Sequence, residues 1–209
     1  MHPLFRGTTI IPVLTIEREA YAVPLARALY EGGLGVIEVT FRSEAAAASI
    51  AAIRSELPQV TVGAGTLLRA ADVAAAVRAG AQFLVSPGMI PELAGAALAT
   101  DLPYLPGVAT PSEIMAARAL GICVMKLFPA EALGGIALLR ALAPVFAGIA
   151  FCPTGGIDER SAEHYLALPN VPTVGGSWMA PRDAIASGDW PRICRLAERA
   201  AAIGRAEAA

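Results

Sequence analysis

The sequence predicts a single-domain α/β protein built as a (β/α)8 barrel. Three observations predict it. Short β-branched runs alternate with alanine-rich stretches of helical length along all 209 residues. Strand starts recur about every 20 to 25 residues, the length of one strand–helix unit. Eight such units can be counted with no linker or shift in composition between them, and eight parallel units close on themselves as a TIM barrel. The open doubly wound sheet is the competing architecture. It requires a GxGxxG turn after an early strand, and Gly63-Ala64-Gly65-Thr66 lacks the third glycine.

The strands are expected at Thr9–Ile16, Val36–Phe41, Val60–Gly65, Phe83–Pro87, Tyr104–Val108, Val124–Phe128, Ile149–Pro153 and Thr173–Ser177. Each is rich in Val, Ile, Thr or aromatic residues, which suit a pleated buried surface. Helices are expected at Ser43–Leu57, Ala70–Ala79, Pro91–Ala99, Pro111–Leu120 and Asp158–Leu168. Ser43 and Asp158 have side chains that can accept from the first free backbone N–H groups, so they read as N-caps. Pro91 and Pro111 suit a first helical position, where the missing N–H costs nothing. Gly80 and Gly121 each stand just before the next strand, where glycine relieves a left-handed helix end.

Composition narrows the function. The net charge is −2 with no basic block, which argues against a nucleic-acid partner. An anionic substrate would have to be held by local groups. Cys123, Cys152 and Cys194 are too few and too scattered for a disulfide framework or a zinc cluster, and read as small buried hydrophobes. No Asp, Glu or His cluster has metal-site spacing, so a metal-independent protein without a cofactor is expected. His2 and His164 read as solvated or packing residues. No stretch reads as a signal peptide or a membrane span, since Pro144, Pro153 and paired glycines break the longest uncharged run. A reduced, cytoplasmic protein is expected. The hydrophobic share of 56% leaves room for a subunit interface.

The chain has a single lysine, Lys126, against fifteen arginines, and it interrupts the apolar run Val124-Met125-Lys126-Leu127-Phe128-Pro129. Burying an ammonium is costly. Compositional bias explains why surface lysines are missing but not why the survivor stands in a core strand. An amine in an apolar enclosure is disfavoured as a cation, and a neutral amine attacks carbonyl carbon to form a Schiff base.

Active sites of such barrels lie at the C-terminal ends of the strands. The second strand ends Glu38-Val39-Thr40-Phe41-Arg42, and alternation puts Glu38, Thr40 and Arg42 on one face. Strands two and six lie across the barrel, so Glu38 and Lys126 can meet in one interior layer. Either Glu38 and Arg42 form a structural ion pair, or Glu38 transfers protons and Arg42 offers its planar fork to a carboxylate. Thr66 follows a glycine turn and either meets a ligand or caps the next helix. The fourth strand ends at Ser86-Pro87. The seventh and eighth strands end in Thr154-Gly155-Gly156 and Gly175-Gly176-Ser177, glycine pairs where backbone N–H groups can hold a phosphate.

Six segments carry a resemblance. Glu-Val-Thr-Phe-Arg at 38–42, Gly-Ala-Gly-Thr at 63–66, Ser-Pro-Gly at 86–88, Lys-Leu-Phe-Pro-Ala-Glu at 126–131, Phe-Cys-Pro-Thr-Gly-Gly-Ile at 151–157 and Gly-Gly-Ser-Trp at 175–178 closely resemble the 2-keto-3-deoxy-6-phosphogluconate aldolase family. The match runs in order from about Ile10 to the last helix. The resemblance implies a class I, metal-independent aldolase with a phosphorylated keto-acid substrate, Lys126 as the Schiff-base lysine and Glu38 as general acid/base. It implies that Arg42 and Thr66 hold the pyruvate carboxylate, that Phe128 packs beside the imine, and that Pro87 belongs to the substrate site. It implies that Thr154 meets the substrate hydroxyls, that Gly155, Gly156, Gly176 and Ser177 hold the phosphate, and that the protein is a homotrimer. One departure is that the family usually has a longer helical segment before the first strand. A related phosphogalactonate aldolase tends to lack the equivalents of Arg42 and Thr154, so their presence favours the gluconate. Two other readings remain: a sugar-phosphate isomerase or epimerase, and a non-catalytic sugar-phosphate sensor.

Overall fold

The structure, a computed structural model, describes residues 7–203, so the stretch up to Arg6, with His2 and the possible departure before the first strand, lies outside the described residues. Nine short strands appear among them: β1 (Ile10–Leu14), β2 (Val36–Thr40), β3 (Thr61–Gly65), β4 (Leu84–Val85), β5 (Tyr104–Leu105), β6 (Gly107–Val108), β7 (Val124–Leu127), β8 (Ala150–Pro153) and β9 (Val174–Gly176). They lie within the eight expected segments, because β5 and β6 are one strand split at Pro106. Proline has no N–H to give the ladder, yet its carbonyl still accepts from the Lys126 N–H at 2.9 Å.

Every pair is parallel. One sheet segment has the order β5-β4-β3-β2-β1-β9 and the other β6-β7-β8. The continuous chain through Pro106 joins them at one edge, and an isolated parallel bridge between Thr154 and Gly175 joins β8 to β9 at the other. The result is a curled parallel sheet wrapped by helices.

The wrapping helices are α1 (Ala22–Glu31), α2 (Ala46–Glu56), α3 (Ala70–Arg78), α4 (Pro91–Leu98), α5 (Pro111–Ala119), α6 (Gly135–Leu142), α7 (Glu159–Leu166), α8 (Arg182–Ser187) and α9 (Trp190–Ala202). Pro91 and Pro111 open α4 and α5 as expected. Asp158 caps α7, its side chain accepting from the Arg160 and Ser161 N–H groups. Gly80 and Gly121 adopt positive φ of 85° and 80°. Ser43 departs from expectation. Ala45 stands at the N-cap of α2, and Ser43 Oγ instead donates to the Ile16 carbonyl at 2.5 Å, tying the turn after β2 to the turn after β1. A serine hydroxyl can accept from a helix's free N–H groups or donate to a nearby carbonyl, and here it donates to the tertiary carbonyl.

The two-residue alternation of the strands separates two cores. Leu14, Ile37, Val39, Leu84, Met125, Leu127 and Phe151 join the large apolar layer between sheet and helices. Ile11, Val36, Phe83, Val85, Leu105 and Cys152 form a smaller cluster on the opposite, inner face, with Val124 packed on it. A β-carbon on Gly63 would sit 2.4 Å from the Phe83 ring, so glycine there lets the ring fill the interior. This plug lies against the Lys126–Glu38 level, where Cys152 is the register partner of Lys126, so the polar residues sit on an apolar floor.

Candidate active site

Val36, Glu38 and Thr40 share the inner face of β2, and Val124, Lys126 and Phe128 share that of β7 and its continuation. The curl brings the two runs together. Lys126 Nζ lies 3.2 Å from Glu38 Oε1 and 3.5 Å from Oε2. Both side chains are closed off from solvent, at 5% and 4% exposure. Desolvating two opposite charges costs several kcal/mol per ion, which their attraction only partly offsets, so a lone buried pair is weak as a stabilising device. Its proton-passing geometry is the more economical reason for it.

The surroundings hold the pair in place. A β-carbon on Gly65 would stand 1.9 Å from Glu38 Oε1, so only glycine leaves room for the carboxylate. Thr40 Oγ1 donates to the Leu14 carbonyl at 2.9 Å and lies 3.0 Å from Thr15 Oγ1, which therefore donates to it. These bonds lock the strand end beyond Glu38 to β1. Cys152, the β8 register partner of Lys126, is buried beside the pair. Burial pushes its thiol up to about 12, against the pull of Lys126, so it stays protonated and inert at neutral pH.

Above the pair opens a cavity of about 220 Å³. Arg42 and Phe128 form one part of its wall, and Thr154, Gly155, Gly156, Gly176 and Ser177 another. The structure thus gathers seven of the residues expected to bind substrate. Lys126 Nζ lies 5.5 Å from the centre of the Phe128 ring, which links the buried pair to the cavity. Two residues of strand rise, about 6.6 Å, separate Lys126 from Phe128 along the inner face.

Glu38 pairs with Lys126, and among the described residues no ion pair involves Arg42. The guanidinium is exposed at the cavity wall and open to an anion. Thr66 does not cap α3, whose N-cap is Arg69. It holds a left-handed φ of 58°, rare for a β-branched residue and typical of strain retained at ligand sites. Besides the buried Lys126–Glu38 pair itself, Thr66 and Pro87 are the expected residues that do not line the cavity. The Pro87 carbonyl packs against Gly107, where a β-carbon would come within 2.1 Å.

The glycine turns have supports of their own. Gly155 and Gly156 adopt positive φ of 101° and 84°. The Glu131 N–H donates to the Gly155 carbonyl at 3.1 Å, and a β-carbon on Gly156 would meet the Glu131 side chain at 2.7 Å. Glu131 is held in turn by the Tyr165 hydroxyl, which donates to Oε1 at 2.5 Å. Burial, reinforced by this carboxylate, raises the Tyr165 hydroxyl above its ordinary range and keeps it a donor.

Thr15, Ile185 and Arg182 also line the cavity and were not anticipated. Thr15 stands next to last in the first expected strand, Thr9–Ile16. Arg182, the first residue of α8 after Pro181 at its N-cap, has no motif to announce it. His164 is exposed on α7, as expected. Among the described residues no group of His, Cys, Asp and Glu could hold a metal ion, and no helix is long and apolar enough to cross a membrane.

The comparisons with known proteins agree with this geometry. The model of the KDPG and KHG aldolase family matches residues 2–196. A 2-dehydro-3-deoxy-phosphogluconate aldolase of Pseudoalteromonas atlantica is 46% identical over 199 residues, covering 95% of this chain and 93% of that protein. The chain belongs to the KDPG and KHG aldolase family. Among solved structures of the family, the KDPG aldolase of Legionella pneumophila, with pyruvate captured as a covalent carbinolamine, is 42% identical with a TM-score of 0.91 over 93% of this chain and 95% of that one. The Zymomonas mobilis KDPG aldolase with 3-phosphoglycerate is 43% identical with a TM-score of 0.90 over 97% and 95%.

Proposed function

We propose that the chain is a class I, Schiff-base aldolase that cleaves 2-keto-3-deoxy-6-phosphogluconate reversibly to pyruvate and D-glyceraldehyde 3-phosphate. The observation that carries this reading is the buried Lys126–Glu38 pair at 3.2 Å beneath a cavity that holds an unpaired arginine and two glycine turns. The covalent pyruvate adduct of the Legionella relative supports the chemistry.

The pair explains how the amine becomes a nucleophile. Lys126 passes a proton to Glu38, and the neutral Nζ attacks the C2 carbonyl. Glu38 returns the proton to the departing hydroxyl, water leaves, and a protonated imine remains. Glu38, again a carboxylate, takes the C4 hydroxyl proton. The C3–C4 electrons flow into the imine, giving an enamine and releasing the aldehyde. Glu38 then protonates C3, and water hydrolyses the imine to free pyruvate and Lys126. One carboxylate serves every proton transfer, so it must stay within reach of Nζ, C3 and C4.

Arg42 and Thr66 hold the carboxylate in this reading, and Phe128 and Pro87 shape the space around the imine. Thr154 meets the hydroxyls, and Gly155, Gly156, Gly176 and Ser177 hold the phosphate through backbone N–H groups and a hydroxyl. Arg42 and Thr154 favour the gluconate over the galactonate, and 4-hydroxy-2-ketoglutarate is a side substrate. The two sheet segments act as one closed (β/α)8 barrel forming a single domain, the Thr154–Gly175 bridge being its last seam. The assembly is a homotrimer, supported by the exposed Leu68, Ile90 and Met115 on successive units. The three cysteines are free, which suits a reduced cytoplasmic protein.

The test is incubation with pyruvate and borohydride, followed by intact mass and peptide mapping. A single reduced pyruvyl adduct on Lys126, with turnover abolished in Lys126→Ala, is expected. A folded protein that takes up no adduct would overturn the aldolase and favour the isomerase or the sensor.

A further inference from the structure

We propose that Arg182 is the cation that clamps the phosphoryl end of the substrate and sets the preference for phosphorylated over unphosphorylated keto acids. The inference rests on the aldolase reading and adds to it a residue that no motif announces. A 2-keto-3-deoxy-6-phosphogluconate molecule carries an anion at each end, a carboxylate and a phosphate of nearly two charges. The glycine turns offer the phosphate N–H dipoles but no full charge.

The cavity contains two charged side chains, Arg42 and Arg182, and no carboxylate. They stand on opposite sides of β1, because the sheet order runs β2-β1-β9, with Arg42 just beyond β2 and Arg182 on the segment after β9. Arg42 shares the inner face with Glu38. Arg182 belongs with Gly176 and Ser177, and the Thr154–Gly175 bridge sets that turn beside Gly155 and Gly156. Two guanidinium groups that line one cavity from the two sides of β1 match a substrate with two anionic ends.

Arg182 is also free to act. Its neighbour Asp183 is engaged by Arg192 at 2.6 Å, and among the described residues no ion pair involves Arg182. Glu17 shares with it a hollow of about 380 Å³ beside the cavity, and among the described residues the two form no ion pair. With the chain at −2 overall, the charge that recruits a phosphate here must be local.

The test compares the unsubstituted chain with Arg182→Ala and Arg182→Lys on 2-keto-3-deoxy-6-phosphogluconate and on 2-keto-3-deoxygluconate. In Arg182→Ala the ratio of the two kcat/KM values should fall about tenfold, the loss lying in KM for the phosphorylated substrate, as expected for one exposed charge-assisted contact. Lysine keeps the charge without the planar fork and should fall between. Glycerol 3-phosphate titrated by calorimetry should bind about tenfold more weakly to Arg182→Ala, a readout that needs no turnover. An unchanged ratio with unchanged glycerol 3-phosphate affinity, or an equal loss on both substrates, overturns the clamp. Failure of pyruvate to label Lys126 in the unsubstituted chain overturns the aldolase alone, because the calorimetric comparison still reads the clamp.

Discussion

At the scale of single residues, the Lys126–Glu38 pair and the glycine beside it yield the sharpest expectations. Glu38→Gln keeps the shape of the site but cannot carry protons. It should form the pyruvate adduct under borohydride more slowly than the parent chain, while kcat falls by about 10² to 10⁴. Adduct formation and turnover both at the parent rate would assign the proton transfers to another group. Gly65→Ala probes position without touching either partner. Its β-carbon would stand 1.9 Å from Glu38 Oε1, so the carboxylate must swing away from Nζ. A misplacement of that size should lower kcat about 100-fold while circular dichroism still reports a folded protein. Normal kcat in this variant would mean that the observed carboxylate position is unimportant.

At the scale of elements, the loops after the strands carry the site, and their anchors are capping and turn interactions. Asp158 shows this for α7, which follows the Gly155-Gly156 turn. The Ser161 N–H, the Ser161 side chain and the Arg160 N–H and charge hold its carboxyl below the ordinary 3.8. A carboxyl depressed in the folded state stabilises it above the unfolded value, and that stabilisation is lost as pH falls through the folded one. Asp158→Asn caps equally well without titrating. Its Tm, followed by calorimetry, should match the parent at neutral pH and fall less steeply below about pH 3.8. Parallel acid limbs would show that the cap does not couple to folding. Asp72 and Asp183 are depressed in the same direction, so only a share of the acid sensitivity should disappear.

At the scale of the whole molecule, the inner plug and the outer helix layer divide the work. The helix layer buries most of the apolar side chains, each worth about 1.5–3 kcal/mol when fully enclosed, and this offsets the several kcal/mol spent on a buried ion pair. Packing is close where elements meet. A β-carbon on Gly32, after α1, would lie 2.4 Å from Ala197 of α9. The outer surface is less finished: Leu68, Ile90 and Met115 are more than half exposed, at 57%, 53% and 63%. If these cover a trimer contact, sedimentation should give three times the chain mass, and Met115→Glu should shift the protein to monomer. A monomeric parent chain would remove the proposed assembly.

The sequence by itself determined a parallel α/β architecture and seven of the residues that line the cavity. Alternation along β2 was enough to align Glu38, Thr40 and Arg42, and the sole lysine in an apolar strand announced itself by its desolvation cost. Glycine pairs and proline or aspartate helix starts were legible because they answer to local backbone geometry. Tertiary structure decided what depends on neighbours distant in the chain. Ser43 was expected to cap a helix, but a carbonyl brought in from the preceding strand took its hydroxyl. Whether Glu38 would pair with Arg42 or with Lys126 was left open by spacing, and the curl of the sheet settles it by bringing Glu38 Oε1 on β2 within 3.2 Å of Lys126 Nζ on β7. Arg182 became visible only when β9 was seen beside β1 and β8. Local propensity is written residue by residue, whereas proximity across a curled sheet is a property of all its strands together.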